Sequence, residues 1–492
     1  MSGTTNNAIH RAKTWQIAGF ALNNVSTNLY MWMMTFIAYY LQGFIGVATV
    51  LATSYVTIMR VWDGITDPFA GYIIDKTNGK MGKNRPFILL GQIIMFSMSA
   101  LMFFVSPKVP EGGRFVVFTI FYALYVIGYT LQCVITKSAQ TCLTNDPVQR
   151  PVFSVFNGVF TAGVFAVMPW YSYTYLLQKH QYQMNADFFA EQWATCAIAS
   201  AITAAIAFVS LIEKDREEYY GVGGQAAKVS FKDYWEILKN NRAMQMLVVS
   251  AGTDKLATQA KGDATVTLIV YAIICGNAAA GGLVTGYSTI PNLLFIFFGA
   301  GVIAAKLGQK KSMTVGSWGA IFSCVGLILL FVLGDPTTFS LPGDGVFSGW
   351  SLFTILFMGL TIAFNGFNQI CSSVVITMTA DVADYEVYRS GKYAPGMIGT
   401  LFSFVDKIIS SFAASIIGVM CAMIGFVDKL PTAETPYSTS LFVVGMIGMY
   451  GLVLLGLIAN VIAMKFYPLT KEKMAEIQDE IAAIKANAAQ AK

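Results

Sequence analysis

Apolar blocks of about twenty residues or more recur along almost the whole chain, each long enough to cross a hydrocarbon core of about 30 Å as a helix. Inside lipid the backbone has no water to bond, so spanning segments are confined to helices or a closed barrel. Runs this long need helices. The blocks fall at 15–42, 45–75, 86–106, 114–142, 150–177, 188–212, 243–274, 282–306, 311–334, 349–380, 396–426 and 438–466. Composition agrees with this: charged residues make up 12% of the 492 and hydrophobic residues 55%, whereas a soluble domain carries roughly 25% charge. So little charge cannot wet a surface of this size, which excludes a soluble enzyme and a nucleic-acid binder.

The longest polar stretch, Glu213 to Arg242, divides the blocks six and six. The expected fold is therefore an all-α membrane protein of twelve transmembrane helices in two six-helix halves. Its parts are an N-terminal bundle (1–212), a cytoplasmic middle loop (213–242), a C-terminal bundle (243–467) and a cytoplasmic tail (468–492). Within the middle loop, Phe231 to Leu238 can form a short interfacial helix. Lys and Arg concentrate in the N-terminus, the even-numbered connections and the tail. Only Lys108, Arg114, Lys179 and Lys429 fall in the odd-numbered connections, so the positive-inside rule places both termini in the cytoplasm. Met1 to Lys13 lacks the apolar core of a cleavable signal, and the first span is expected to act as its own insertion signal.

A Gly-led basic loop follows span 2 (Gly71 to Arg85) and recurs after span 8 (Gly301 to Lys311), as a protein built from repeated halves predicts. The seven Cys show no paired or metal-like spacing and read as packing residues. His10 and His180 are the two His, both outside the spans, which argues against a His-based metal or catalytic site. No H-E-x-x-H, G-x-S-x-G or phosphate-loop motif occurs. The chain reads as a non-enzyme without a cofactor.

Ionisable groups inside spans are costly and usually face a cavity or one another. In span 2, Asp63 and Asp67 are i,i+4 and Arg60 precedes Asp63 by three, so all three share one helical face. Two carboxylates one turn apart can coordinate a small cation or share a proton. The alternative is a structural network in which Arg60 neutralises one of them. Thr130, Cys133, Lys137, Gln140, Thr141 and Thr144 share a face of span 4, where Lys137 either faces a cavity or snorkels. Asn23, Ser26, Thr27 and Tyr30 line one face of span 1. Ser154, Asn157 and Thr161 do so in span 5, and Asn365, Asn368, Gln369 and Ser372 in span 10. Amides and hydroxyls spread over several spans suit a ligand rich in hydroxyls, such as a sugar, or serve as glue between helices. In span 7, Asp254 and Lys261 stack on one face while Lys255 and Asp263 do not, so the helix is expected to break at Gly262 or to start further along. Span 11 carries Ser403, Asp406 and Lys407, with Lys407 on the side of Ser403 and Thr400.

The run Arg60-Val-Trp-Asp63-Gly-Ile-Thr-Asp67-Pro68-Phe-Ala-Gly71-Tyr-Ile-Ile-Asp75, with Gly82-Lys83-Asn84-Arg85-Pro86 after it, resembles the glycoside–pentoside–hexuronide:cation symporter family. That family is a branch of the major facilitator superfamily. Ala380-Asp381-Val-Ala-Asp384-Tyr385-Glu386, taken as the loop after span 10, and Lys407 in span 11 extend the resemblance over the whole layout. It implies that Asp63 and Asp67 bind the coupling Na⁺, Li⁺ or H⁺, with Thr130 and Ser403 as supporting oxygens and Lys407 beside them. The family has an Asn where this chain has Thr66, a departure that bears on Na⁺ preference. On the sugar side the family's galactoside site uses an Asp in span 1, an Asp and a Trp in span 4 and an Arg in span 5. Ser26, Cys133, Lys137 and Asn157 occupy those positions here. Pro395 stands where an acidic residue is usual.

These readings converge on a cation-coupled sugar or glycoside importer of the cell (inner) membrane, working by alternating access as a monomer, with Na⁺ or H⁺ as coupling ion. Asp63, Asp67, Thr130 and Ser403 are the expected cation site, and Arg60, Lys407, Asp254 and Lys261 the coupling charges. Asn23, Ser26, Cys133, Lys137, Asn157, Asn368 and Ser372 are the expected substrate contacts. Lys137 and the span 7 lysines point to an acidic sugar such as a hexuronide; the alternatives are a neutral glycoside, a lipid or drug carrier, or a sugar sensor that transports nothing.

Overall fold

The structure, a computed structural model, describes residues 11–77, 79–144, 150–216, 238–296, 307–340, 349–390, 395–477 and 480. Among them the regular structure is helical, apart from one isolated bridge between Gly79 and Gly82. Contacts divide the chain into two compact units, Met1–Gly224 with Val427–Leu430, and Gln225–Phe426 with Pro431–Lys492.

The first unit is built from α1 (Thr14–Met34), α2 (Thr49–Lys76), α3 (Arg85–Ala100), α4 (Glu111–Ser138), α5 (Arg150–Pro169) and α6 (Ala186–Ser210). Here α1 packs on α4, α5 and α6, α3 packs on α4 and α6, and α2 packs on α4. The second unit is built from α7 (Arg242–Lys261), α8 (Ala280–Ile296), α9 (Gln309–Leu333), α10 (Leu352–Ser390), α11 (Pro395–Met423) and α12 (Thr439–Phe466). In it α7 packs on α10, α11 and α12, α9 on α10 and α12, and α8 on α10. Each of these pairings has its counterpart six helices earlier.

The interior is apolar, yet it also buries clusters of polar side chains. In the first unit Ser26, Gln92, Gln132 and Ser200, from four different helices, are buried together. The Ser26 and Ser200 hydroxyls lie 2.6 Å apart, and Ser26 Oγ and Gln132 Nε2 each donate to Gln92 Oε1 at 3.1 Å. The second unit repeats the device on the matching helices. There Ser250 Oγ of α7 donates to Asn460 of α12, whose amide donates to Ser317 Oγ of α9 at 2.8 Å. Large apolar side chains also point outward, as Ile198, Ile202, Ile206 and Val209 do on α6 and Phe322, Leu329 and Val332 on α9. Lipid tails are as apolar as these side chains and pull no helices together, so buried polar pins hold the helices to one another. Among the described residues six helices are long and apolar enough to cross a membrane: Arg85–Lys108, Glu111–Thr136, Ala186–Ser210, Gln309–Leu333, Leu352–Ser372 and Thr439–Phe466. Helices α1, α2 and α7 are not among these six, and they carry many of the candidate site residues.

At two places helix boundaries matter for the site. Span 7 breaks as expected: α7 ends at Lys261, Gly262 follows, and Asp263 caps a new short helix (Ala264–Thr267) by accepting from the Thr265 amide at 2.8 Å. By contrast α10 runs on to Ser390, so Asp381 and Glu386 are helical residues and not part of a loop. Glu386 is buried there, accepting from Asn241 Nδ2 at 2.8 Å and pairing with Arg389. The loop ahead of α3 is clamped from a distance. Asp215, buried beyond the end of α6, accepts from the backbone amides of Lys83, Asn84 and Arg85 at 3.2, 2.9 and 2.8 Å. Gly82 has φ +86° and backs directly onto Asp215, so any side chain there would collide with it. Gly308 (φ +81°) occupies the same place before α9, against Lys471 in the stretch beyond α12. That stretch packs down: Leu469 and Ile477 are buried in the core of the second unit. Residues 217–237 and 301–306, which include most of the expected interfacial helix and the start of the second Gly-led loop, lie outside the described residues.

Candidate functional site

The span 2 acids sit where α2 packs on α4. Thr130 Oγ1 donates to Asp63 Oδ1 at 2.7 Å, and the Thr66 and Thr130 hydroxyls lie 3.0 Å apart. Thr66 Oγ1 also reaches the backbone carbonyl of Asp63 at 3.0 Å, while Trp62 Nε1 fastens α2 to the Ala123 carbonyl of α4 at 3.1 Å. Both Thr66 and Thr130 are buried; Asp63 and Asp67 are half-buried, one helical turn apart. Carboxylate and hydroxyl oxygens gathered on one face suit a hard monovalent cation or a proton. The side chain of Ser403 lies outside the described residues, and Lys407 is half-buried on α11 in the second unit.

On α1 the polar residues divide by the neighbouring helix each one meets. Asn23 is fully buried and donates to Thr136 Oγ1 at 2.8 Å and to the Gln132 carbonyl at 3.1 Å. Ser26 belongs to the four-helix polar cluster described above. The Asn23 amide nitrogen and the Ser26 hydroxyl are thus engaged with neighbouring helices, while Asn23 Oδ1 is buried without a hydrogen-bond partner among the described residues. The face toward α5 is carried by Asn24 and Asn28, whose amides reach Thr161 Oγ1 at 3.1 and 3.4 Å. One turn before Thr161, Asn157 Oδ1 is buried without a hydrogen-bond partner among the described residues. Cys133 is half-buried on α4, and the side chains of Lys137, Gln140, Thr141 and Ser154 lie outside the described residues. Sequence reading missed Asn24 and Asn28. Polar residues at 23, 24, 26, 27 and 28 wrap around the helix, so periodicity alone has no face to choose.

In the second unit the break in α7 leaves Lys261 half-buried, its ammonium donating to Asn365 Oδ1 of α10 at 2.8 Å and lying 4.2 Å above the Phe364 ring. Asn368, one turn along α10, has its Oδ1 buried without a partner among the described residues. Asp254 is buried earlier on α7; Lys255 and Ser372 are exposed.

The family model described as MFS/sugar transport protein matches residues 19–471. The chain belongs to this family. It is a multi-pass membrane transporter with an all-helical fold of the MFS type, and it is not an enzyme. Among curated relatives, this MFS sugar transporter is 25% identical over 476 residues to a glucuronide carrier protein homolog of Escherichia coli, covering 95% of each chain. It is 22% identical to a putative glycoside/cation symporter of the same organism, covering 83% of this chain and 82% of that one. Among solved structures it is similar to a nucleoside transporter with a TM-score of 0.58 at 13% identity, covering 93% of this chain and all of that one. That likeness is one of fold. The family expectation drawn from the span 2 motif and the span 10–11 residues thus stands.

Proposed function

We propose that this MFS sugar transporter imports a sugar or glycoside together with Na⁺ or H⁺, by alternating access between two six-helix halves of twelve spans in all, in the inner membrane with both termini cytoplasmic. One observation carries the reading: Asp63, one turn from Asp67, accepts from Thr130 Oγ1 at 2.7 Å beside the Thr66 hydroxyl, so carboxylate and hydroxyl oxygens gather on one face of α2. A carboxylate pair within a membrane is costly. Loading a cation there relieves that cost, so only the empty or the doubly loaded carrier rearranges readily. The printed name of the glycoside/cation symporter relative supports the coupling, and that of the glucuronide carrier homolog supports a carbohydrate that can be acidic. The amide-lined face between α1 and α5 suits hydroxyl groups better than a greasy lipid or drug. Counterflow into proteoliposomes against a panel of neutral and acidic sugars, each with and without Na⁺, tests this. At least one sugar should exchange, faster with the coupling ion present; exchange of none across the panel contradicts the reading.

A further inference from the structure

We propose that the break in α7 builds a carboxylate-binding site in the second unit, with Lys261 as its ion-pairing group. The proposal rests on the reading that the chain carries sugars and names the part of the ligand this site takes. An ammonium has three donors. One goes to Asn365 Oδ1, and the Phe364 face covers one side of the charge. Among the described residues no carboxylate lies within ion-pair distance of Lys261. Asp254 is two turns back along the axis, about 10 Å away at 1.5 Å per residue. A lysine held within a membrane span is costly unless an opposite charge meets it. The ammonium therefore awaits an anion.

The surroundings say what kind. Asn365 turns its carbonyl oxygen to Lys261, which leaves its amide nitrogen, a donor, beside the ammonium. Donors on Lys261 and Asn365 together match the two oxygens of a carboxylate. Asn368 Oδ1, buried and without a partner, is an acceptor three residues further, about 4.5 Å along α10. An acceptor at that spacing wants a hydroxyl. A carboxylate with a hydroxyl close by is a sugar acid. Neither an inorganic anion nor a neutral sugar satisfies both positions. Lys255, the other lysine of α7, is exposed and has no such setting.

The test uses the purified full-length protein and titrates D-glucuronate, D-glucose, acetate and chloride by thermal shift and calorimetry. Glucuronate should bind wild type at least tenfold more tightly than glucose, and K261Q should reduce that ratio to within about twofold. K261R should keep part of it. N365D, which supplies an internal carboxylate to Lys261, should abolish the preference while leaving the protein at least as heat-stable, so a folding defect in K261Q does not decide the matter. An undiminished glucuronate preference in K261Q and N365D overturns the proposal. Acetate or chloride protecting as well as glucuronate also overturns it, leaving a simple anion site. If wild type exchanges neutral sugars but ignores glucuronate, the proposal fails while the sugar-transport reading stands; if it binds and exchanges none of them, both fail.

Discussion

Thr130 meets Asp63 at 2.7 Å, and a hydrogen bond to a charged group contributes about 1.5–3 kcal/mol. Thr130→Val should therefore lower the apparent affinity for the coupling cation about tenfold or more, read from the Na⁺ and pH dependence of uptake. Thr66, which shares that hydrogen-bonded group, should couple with Thr130 in a double-mutant cycle. On α1, neighbouring asparagines face different helices, Asn23 toward α4 and Asn24 toward α5. Asn23→Ala removes a buried donor to Thr136 and the Gln132 carbonyl, and should lower the melting temperature with little change in sugar affinity. Asn24→Ala, on the face toward Thr161, should do the reverse. A sugar-binding titration and a thermal melt on each variant separate the two. The acidic pair is legible in the sequence because carboxylates are rare in spans and their spacing puts them on one face. The division of labour among the α1 polar residues is not legible, because it depends on which neighbour each side of the helix meets.

Helices here are placed by contacts between residues far apart in the chain. Asp215 accepts three backbone amides ahead of α3, together with the Asn84 side chain at 2.9 Å. A capping carboxylate at a helix start satisfies donors that the helix leaves open, and its charge favours that end of the helix dipole. Asp215→Ala leaves those buried donors unmet and should cost about 2 kcal/mol or more, seen as a lower melting temperature of the detergent-purified protein. An unchanged melting temperature would contradict the clamp. In the sequence this residue sits in a charged connector, more than a hundred residues from its partners, and no spacing rule links them. The run from Asp381 to Ser390 is polar enough to read as a loop, yet buried Glu386 and its bonds to Asn241 and Arg389 extend α10 through it. The break at Gly262 is easier to read, since Lys, Gly and Asp in a row interrupt an apolar block and Asp is a good cap.

Over the whole molecule the same design appears twice. Helix pairings, buried polar pins and the left-handed glycines before α3 and α9 recur in each unit with different residues. Hydropathy exposes the count of apolar blocks and their even division, because lipid demands long apolar runs whatever the detailed sequence. Hydropathy alone does not show the repeat, which is carried by the packing pattern and by the glycines ahead of α3 and α9. The two units also divide the candidate chemistry: the acids expected to take the cation stand in the first, and the lysine proposed to receive an anion stands in the second. In a carrier of this kind transport is concentrative only if cation binding and sugar binding are coupled. The central claim is that Asp63 supplies that coupling. Sugar uptake into proteoliposomes should accumulate above equilibrium under an imposed inward Na⁺ or H⁺ gradient, and Asp63→Asn should lose the response to that gradient. Uptake by the wild type that ignores both gradients, or accumulation by Asp63→Asn equal to the wild type, would contradict the account.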